Sequence, residues 1–174
     1  VSGRPVWIPL GTTANKQGKV AGANAVGAEE RFAGVAGTAG FKVFDLEVAR
    51  TGLTSAEAAG LGIDVVTAVS RQRSRAHGYP GSNPITTTLA AEGGTGRLIG
   101  AQMAGVGVVA KRIDVFATAL AAGLTVEALE DLDLSYAPPF APVYDPVLIA
   151  ATVARKRLQA AARKEAATVG RHRR

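Results

Sequence analysis

The chain contains no cysteine among its 174 residues. Disulfide bonds, thiolate metal sites and cysteine nucleophiles are therefore excluded within it. No run of eighteen apolar residues is present, so the sequence offers no membrane-spanning segment. The first residues, Val1-Ser2-Gly3, include neither a methionine nor a charged region followed by an apolar core, so no secretory signal is visible in the sequence. We therefore expect a cytoplasmic protein without a membrane partner, and a chain that begins at a cut end.

Aromatic residues are also scarce, at 5%, and the basic charge is unevenly placed. Residues 155–174 carry eight of the 20 basic residues and one of the 14 acidic ones, a net charge of +7, which leaves −1 for residues 1–154. Nucleic-acid binding needs a basic face or stacking aromatics on the folded body, and neither is visible. The basic tail is therefore interpreted as a solvated, frayed helix end, and no nucleic-acid partner is expected.

The composition that remains, 47% apolar and 20% charged, is that of a globular domain. Residues 38–48 alternate apolar and polar positions, which predicts a strand with Leu46 and Val48 on one face and Asp45 and Glu47 on a wet opposite face. Before them, a first helix rich in alanine and glycine is predicted, with Thr13 as its N-cap. Such a helix cannot form much core alone.

Later patterns complete an α+β prediction. Thr54-Ser55-Ala56-Glu57 is a capping box that opens a short helix, and Val65–Ser70 reads as a strand. Ile85–Ala90 and Leu98–Met103, joined by a glycine-rich turn, predict a hairpin, and apolar residues at helical spacing from Val109 predict a helix that ends at a glycine. The order of these elements indicates an antiparallel sheet of about four to five strands with helices on one side.

The segment Ser135–Pro146 holds half of the eight prolines. Each proline restricts its own backbone and that of the preceding residue, which predicts an extended, stiff segment that presents Tyr136, Phe140 and Tyr144. It ends at Asp145-Pro146, an N-cap followed by a proline at the first helical position. The stiffness suits a contact surface, but a simple connector that delimits the next helix fits the spacing equally well.

Few residue groups have the pattern of a catalytic site. Three acids within residues 130–133 are more typical of a solvated helix end than of a metal site, since no histidine lies near them in the sequence. Gly105-Val106-Gly107 resembles the start of a phosphate loop, but Ala110 stands where a third glycine is needed. His77 lies in a glycine-rich turn without catalytic partners at a known spacing. No metal is expected.

Tyr79 and Tyr136 remain, each in a loop that contains proline. A phenol can donate a hydrogen bond or a proton to a developing anion, and a rigid loop lowers the entropy cost of placing it there. The alternative is that both rings only anchor their loops.

Four motifs in order resemble a known family. These are Pro9–Gly18, Gly78–Gly81, Lys111–Asp114 and Tyr136–Phe140 with its following Asp-Pro pair. They resemble the C-terminal part of flavin-dependent pyridine nucleotide-disulfide oxidoreductases, closest to the coenzyme A-disulfide reductase and NADH oxidase group. The likeness runs from the first residue to about residue 157.

The resemblance implies three regions and a homodimer. Residues 1–30 would be a terminal segment with the last helix of an FAD-binding domain, residues 31–157 the dimerisation domain, and residues 158–174 a basic tail. Phe140 and Tyr144 would lie in the dimer interface. The partners implied are a second copy and the FAD and NAD(P)H domains that precede this part in the family.

The resemblance also implies roles for particular residues. Thr13, Ala14 and Asn15 would open the helix whose N-terminus faces the flavin, where free N–H groups and the positive end of the helix dipole suit negative charge. Tyr79 and Tyr136 match two tyrosines that reach across the dimer into the active site of the partner subunit, beside its redox cysteine.

The implied parent enzyme passes a hydride from NAD(P)H through FAD to a disulfide such as coenzyme A disulfide, to polysulfide or to oxygen. The nucleotide-binding glycine loops and the redox cysteine of the family are not in this sequence. We therefore expect this chain alone to bind no cofactor and to be inactive. A free-standing, non-catalytic homodimerisation module is the alternative.

Overall fold

The described part of the chain forms an open antiparallel sheet with five helices. The computed structural model describes residues 2–172. In chain order the elements are α1 (Gly11–Ala25), β1 (Ala39–Val43), β2 (Leu46–Gly52), α2 (Ser55–Gly60), β3 (Val65–Arg73), β4 (Pro84–Glu92), β5 (Leu98–Gly105), α3 (Val109–Ala121), α4 (Val126–Glu130) and α5 (Pro146–His172). None of the described helices combines the length and hydropathy needed to cross a bilayer.

The five strands lie in the order β1-β2-β5-β4-β3, and every pairing is antiparallel. The predicted α+β class, sheet type and strand number are confirmed. The predicted hairpin of β4 and β5 is also confirmed, because the two strands pair across the glycine-rich turn, with Leu89 opposite Ala101 and Thr87 opposite Met103. The β3 strand begins at the predicted residue and continues three residues further, to Arg73.

The main core lies between one face of the sheet and helices α3, α4 and α5. Leu89 and Met103 point from the central strands into it, and Phe116 of α3 and Val147 of α5 meet them; all four are at most 1% exposed. The short α2 packs on the opposite face, where its Ala58 joins alternate strand residues in a smaller cluster. The rest of that second face, which we call the open sheet face, carries exposed apolar side chains.

The strand predicted over residues 38–48 is wrong, because the chain reverses within it. Phe44 and Asp45 form a two-residue turn between β1 and β2, and Phe44 has a left-handed φ of 50°. The assignment of faces was wrong as well. Glu47 lies on the covered face and contacts α3, whereas Leu46 lies on the open sheet face and is 45% exposed. Alternation revealed the period of the strand but not which face the helices would cover.

The predictions of the helix ends are confirmed in part. The Thr54 capping box is present, with Thr54 Oγ1 accepting from Glu57 N at 3.2 Å and Glu57 Oε2 accepting from Thr54 N at 2.7 Å. Thr13 is not an N-cap: α1 begins at Gly11 after Leu10, and Thr13 is a buried residue of its first turn. The first turn starts earlier because the N-cap position needs only extended backbone, which Leu10 adopts without a side-chain acceptor.

The proline segment is not extended throughout. The carbonyl oxygen of Ala137 accepts from Phe140 N at 2.9 Å and from Ala141 N at 3.0 Å, which closes a turn over Pro138–Phe140. A proline φ near −65° suits a turn as well as an extended chain, so the prolines stiffen the segment without keeping it straight. The predicted start of the next helix is confirmed, since Asp145 Oδ1 accepts from Val147 N at 2.9 Å.

The last helix, α5, extends from the core into the basic segment. It continues through residues 158–172, and the described side chains from Gln159 onward are mostly exposed. Residues 173 and 174 lie outside the described part of the chain. Fraying of this segment stays a prediction.

We expect replacement of Gly100 by alanine to destabilise the fold by about 3 kcal/mol. A Cβ at this buried position would lie 1.8 Å from the carbonyl oxygen of Leu53, a backbone atom that cannot move aside cheaply. Gly60→Ala is the matched control, because nothing lies within 4 Å of a Cβ there. Urea unfolding at equal protein concentration measures both. Equal midpoints for the two variants would contradict the prediction.

Candidate functional site

The first tyrosine lies in the loop between β3 and β4, residues 74–83, which we call the Tyr79 loop. Its two ends are joined by hydrogen bonds from Ser74 N to Asn83 O at 2.7 Å and from Asn83 N to Ser74 Oγ at 3.0 Å. Within it, Tyr79 N donates to Ala76 O, and Tyr79 O accepts from Ser82 N. These bonds hold a loop of turn residues in one shape, with the Tyr79 side chain at the surface, 37% exposed.

The second tyrosine lies in residues 135–145, which we call the Tyr136 loop. Tyr136, Phe140 and Tyr144 are 50%, 73% and 67% exposed. Large aromatic side chains at such exposure are available for contact with another surface. The structure brings this loop beside the Tyr79 loop, since Ala76 N donates to Pro138 O at 3.3 Å. The two tyrosines, 57 positions apart in the sequence, therefore belong to adjoining loops.

A buried ion pair joins the same two loops to the core. Arg112 of α3 donates through Nε to both carboxylate oxygens of Asp145, at 2.9 and 3.2 Å. Its Nη2 donates to Ser74 O at 2.9 Å and to Phe140 O at 3.2 Å. The two side chains are only 8% and 11% exposed. One guanidinium thus contacts the base of the Tyr79 loop, the middle of the Tyr136 loop and the start of α5.

Reasoning from the sequence identified Asp145 as a cap but missed the pairing with Arg112. A signal was present: Arg112 stands three residues after Val109 and four before Phe116, both buried, so it lies on the apolar face of α3. An arginine at a core position of a helix needs a buried acceptor. Its third guanidinium nitrogen, Nη1, is also buried and has no hydrogen-bond partner in the described part of the chain.

A second long-range contact was also missed. Glu47 Oε2 accepts from the backbone N–H groups of Val109 at 2.7 Å and Ala110 at 3.1 Å. The helix has no side-chain cap of its own, because Val108 stands at the N-cap position with a left-handed φ of 63°. A strand carboxylate therefore caps α3 and suits the positive end of its dipole.

The residues predicted to face a flavin lie in the first turn of α1. By helix geometry, the N–H groups of Gly11–Thr13 have no acceptor within the helix. Ala14 N is already engaged, at 2.9 Å from Leu10 O, and Asn15 Nδ2 donates to Gly11 O at 3.1 Å. A cleft between this turn, residues 33–38 and α3 opens beside Thr12 and Thr13. Free amide donors at the mouth of a cleft suit an anionic or carbonyl-bearing ring edge.

The open sheet face lies around the central strand β5. The pairing registers show which residues share this face. One row across four strands consists of Phe41, Val48, Ala104 and Thr86. The exposed apolar members of the face are Phe41 (62%), Val43 (49%), Leu46 (45%) and Val69 (57%). Near its centre the amide nitrogen of Gln102 is buried and has no partner within the described part of the chain. The face therefore combines exposed apolar side chains with one buried donor that has no described partner.

The first of the acidic residues 130–133, Glu130 at the end of α4, makes structural contacts. Glu130 accepts from Arg155 of α5 and from the Thr152 hydroxyl, and the bond from Arg155 lowers the pKa of the Glu130 carboxyl. The same contact raises the pKa of Arg155. Among the side chains that the structure describes, no three from histidine, aspartate or glutamate gather as a metal site requires.

Comparisons with known proteins agree with this architecture. Residues 38–146, more than half of the chain, match the family described as pyridine nucleotide-disulphide oxidoreductase, dimerisation domain. The solved structure of an NAD-dependent persulfide reductase from A. fulgidus superposes with a TM-score of 0.87 at 45% identity, covering 91% of this chain and 30% of that one.

Curated relatives show the same correspondence. An NAD(P)H coenzyme A polysulfide/persulfide reductase of Pyrococcus horikoshii is 45% identical over 153 residues, which is 88% of this chain and 34% of the relative. An NADH oxidase of Methanocaldococcus jannaschii is 36% identical over 158 residues, covering 91% of this chain and 35% of the relative. The chain thus spans about a third of the length of these relatives. It belongs to the dimerisation-domain family of the pyridine nucleotide-disulphide oxidoreductases.

Proposed function

We propose that this chain is the dimerisation part of a flavoprotein oxidoreductase and lends Tyr79 and Tyr136 to the active site of its partner subunit. The parent enzyme would pass a hydride from NAD(P)H through FAD to a disulfide, a polysulfide or persulfide, or oxygen. The observation that carries the proposal is the pair of adjoining loops that present both tyrosines at the surface. The names of the relatives, persulfide reductase and NADH oxidase, support the class of acceptor.

The exposed apolar surface supports a symmetric homodimer. Phe41, Leu46 and Val69 on the open sheet face would gain by burial against a second copy. The buried Gln102 amide would then find an acceptor across the interface. Phe140 and Tyr144 would extend this interface to the loops, which would bring the tyrosines of one subunit towards the other. In a twofold dimer the same patch serves both subunits, so two equivalent sites form.

The tyrosines would act on the sulfur acceptor. Cleavage of a disulfide or persulfide bond leaves negative charge on the departing sulfur, and a phenol hydroxyl can donate a hydrogen bond or a proton to it. Rigid loops would keep the two hydroxyls in place before the substrate arrives, so little entropy is lost on binding.

FAD, when bound, supplies the two-electron chemistry that no side chain of this sequence provides. The first turn of α1, with Thr13, Ala14 and Asn15, would form one edge of its site. Its free N–H groups, at Gly11–Thr13, would donate to the flavin edge and favour negative charge there. The other walls of the site would come from the FAD domain.

Conversion of both tyrosines to phenylalanine in the full-length protein tests the proposal. We expect kcat/KM for coenzyme A disulfide or persulfide to fall about 100-fold, since a lost proton or hydrogen-bond donor typically costs this much. The rate of FAD reduction by NAD(P)H, followed by flavin absorbance, should stay unchanged.

The matched control is Tyr144→Phe, which removes a hydroxyl from the same loop but keeps the apolar ring proposed for the dimer interface. It should leave kcat/KM within about threefold. A Tyr79→Phe/Tyr136→Phe enzyme that reduces its sulfur acceptor at the normal rate would exclude the proposed role of the tyrosines.

A further inference from the structure

The two tyrosine loops share one buried anchor. Ser74 O, at the base of the Tyr79 loop, and Phe140 O, inside the Tyr136 loop, both accept from Nη2 of Arg112, at 2.9 and 3.2 Å. The same side chain is oriented by Asp145, which also caps α5 through Val147 N. The direct backbone contact between the loops is the long bond from Ala76 N to Pro138 O, at 3.3 Å.

We propose that Arg112 is a positioning residue that sets the location of Tyr79 relative to Tyr136, an inference that rests on the proposed function of those tyrosines. A guanidinium is rigid and planar, so the two N–H bonds of Nη2 keep fixed directions relative to each other and to the N–H bond of Nε. Two loops bonded to one nitrogen of this fork keep a constant separation. The described hydrogen bonds of Arg112 go to Asp145 and to two backbone carbonyls, so the constraint on the tyrosines passes through the backbone of their loops.

The apolar core of the fold is built from side chains outside the two tyrosine loops. Apolar side chains such as Leu89, Met103 and Phe116 hold the sheet to α3 and α5. Two of the guanidinium bonds, in contrast, go to backbone carbonyls in these loops, outside the regular elements. If Arg112 were buried only to support the fold, its bonds to Asp145, which connect α3 to the start of α5, would be sufficient. The two additional bonds to the tyrosine loops are the feature that indicates positioning.

Arg112→Lys is the informative variant. Lysine keeps the positive charge opposite Asp145, but a single ammonium lacks the fork that reaches the carboxylate and the two carbonyls together. Arg155→Lys is the matched control, because Arg155 makes a comparable forked contact with Glu130 and lies away from both loops.

The experiment is a double-mutant comparison in the full-length protein with coenzyme A disulfide as acceptor. We expect Arg112→Lys to lower kcat/KM by about 10- to 100-fold in the natural background, because small displacements of catalytic groups cost this much. In the Tyr79→Phe/Tyr136→Phe background the same change should cost less than about twofold. Arg155→Lys should have little effect in either background. An equal loss in both backgrounds, or no loss in the natural one, would overturn the positioning role.

Amide hydrogen exchange keeps this inference separable from the proposed function. We expect Arg112→Lys, but not Arg155→Lys, to speed exchange of the hydrogen-bonded amides of Ala76, Tyr79 and Phe140 by about tenfold, with residues 113–121 of α3 unchanged. If the tyrosine variants show normal turnover, the proposed function fails and this exchange result alone decides whether Arg112 holds the loops. Unchanged exchange in both loops would then overturn the inference.

Discussion

Asp145→Ala is expected to destabilise this chain by about 3–5 kcal/mol. The substitution leaves the Arg112 guanidinium buried without its counter-charge, since its side chain is only 8% exposed. It also removes the acceptor for Val147 N at the start of α5. A loss of this size is a large part of the stability of an ordinary domain, so urea unfolding followed by circular dichroism should show a much lower midpoint.

Two further variants make this expectation specific. Asp145→Asn keeps an acceptor for the helix cap and should cost less than Asp145→Ala. Asp114→Ala removes a carboxylate that pairs with Lys111 on the same helix, where the side chains are 52% and 79% exposed, and should leave the midpoint nearly unchanged. Similar losses for Asp145→Ala and Asp114→Ala would show that burial of the Arg112–Asp145 pair has no energetic importance.

Ala104→Arg is expected to convert a homodimer of this chain into a monomer, raising the dimer dissociation constant by at least about 100-fold. Ala104 lies on the central strand of the open sheet face, opposite Val48 on one side and Thr86 on the other. In a twofold dimer built on this face, the added charge would be buried in both copies at once. Sedimentation velocity at micromolar concentration measures the change.

Ala160→Arg provides the control for the dimer experiment. Ala160 is exposed on α5, the helix that packs on the covered face of the sheet. The same increase in charge there should leave the dimer intact. A dimer that survives Ala104→Arg, with unchanged circular dichroism, would place the interface elsewhere on the chain. The aromatic residues of the Tyr136 loop would then be the next surface to test.

Local sequence patterns were sufficient where the interaction that forms an element is itself local. The Thr54 capping box, the hairpin of β4 and β5, and the start of α5 at Asp145-Pro146 all depend on groups within a few residues or on one tight turn. Each was predictable because the hydrogen bonds or the turn geometry can be read from neighbouring residues.

The same patterns were misleading where the packing of helices on the sheet decides which strand residues are buried. Glu47 has the sequence position of a solvent-facing strand residue, yet it caps α3, 62 positions later in the chain. Leu46 has the position of a core residue, yet it lies on the open sheet face. Periodicity shows that two faces exist, but which face meets the helices depends on the path of the whole chain.

By itself, the sequence determined the α+β class and, through four motifs in order, the family. It also excluded cysteine chemistry within this chain. It named Tyr79 and Tyr136 together as candidates. The tertiary structure decided that their loops adjoin and that Arg112 and Asp145 hold both loops from within the core. The physical reason is that a buried charge must find its acceptors in three dimensions, and no spacing along the chain records where those acceptors lie.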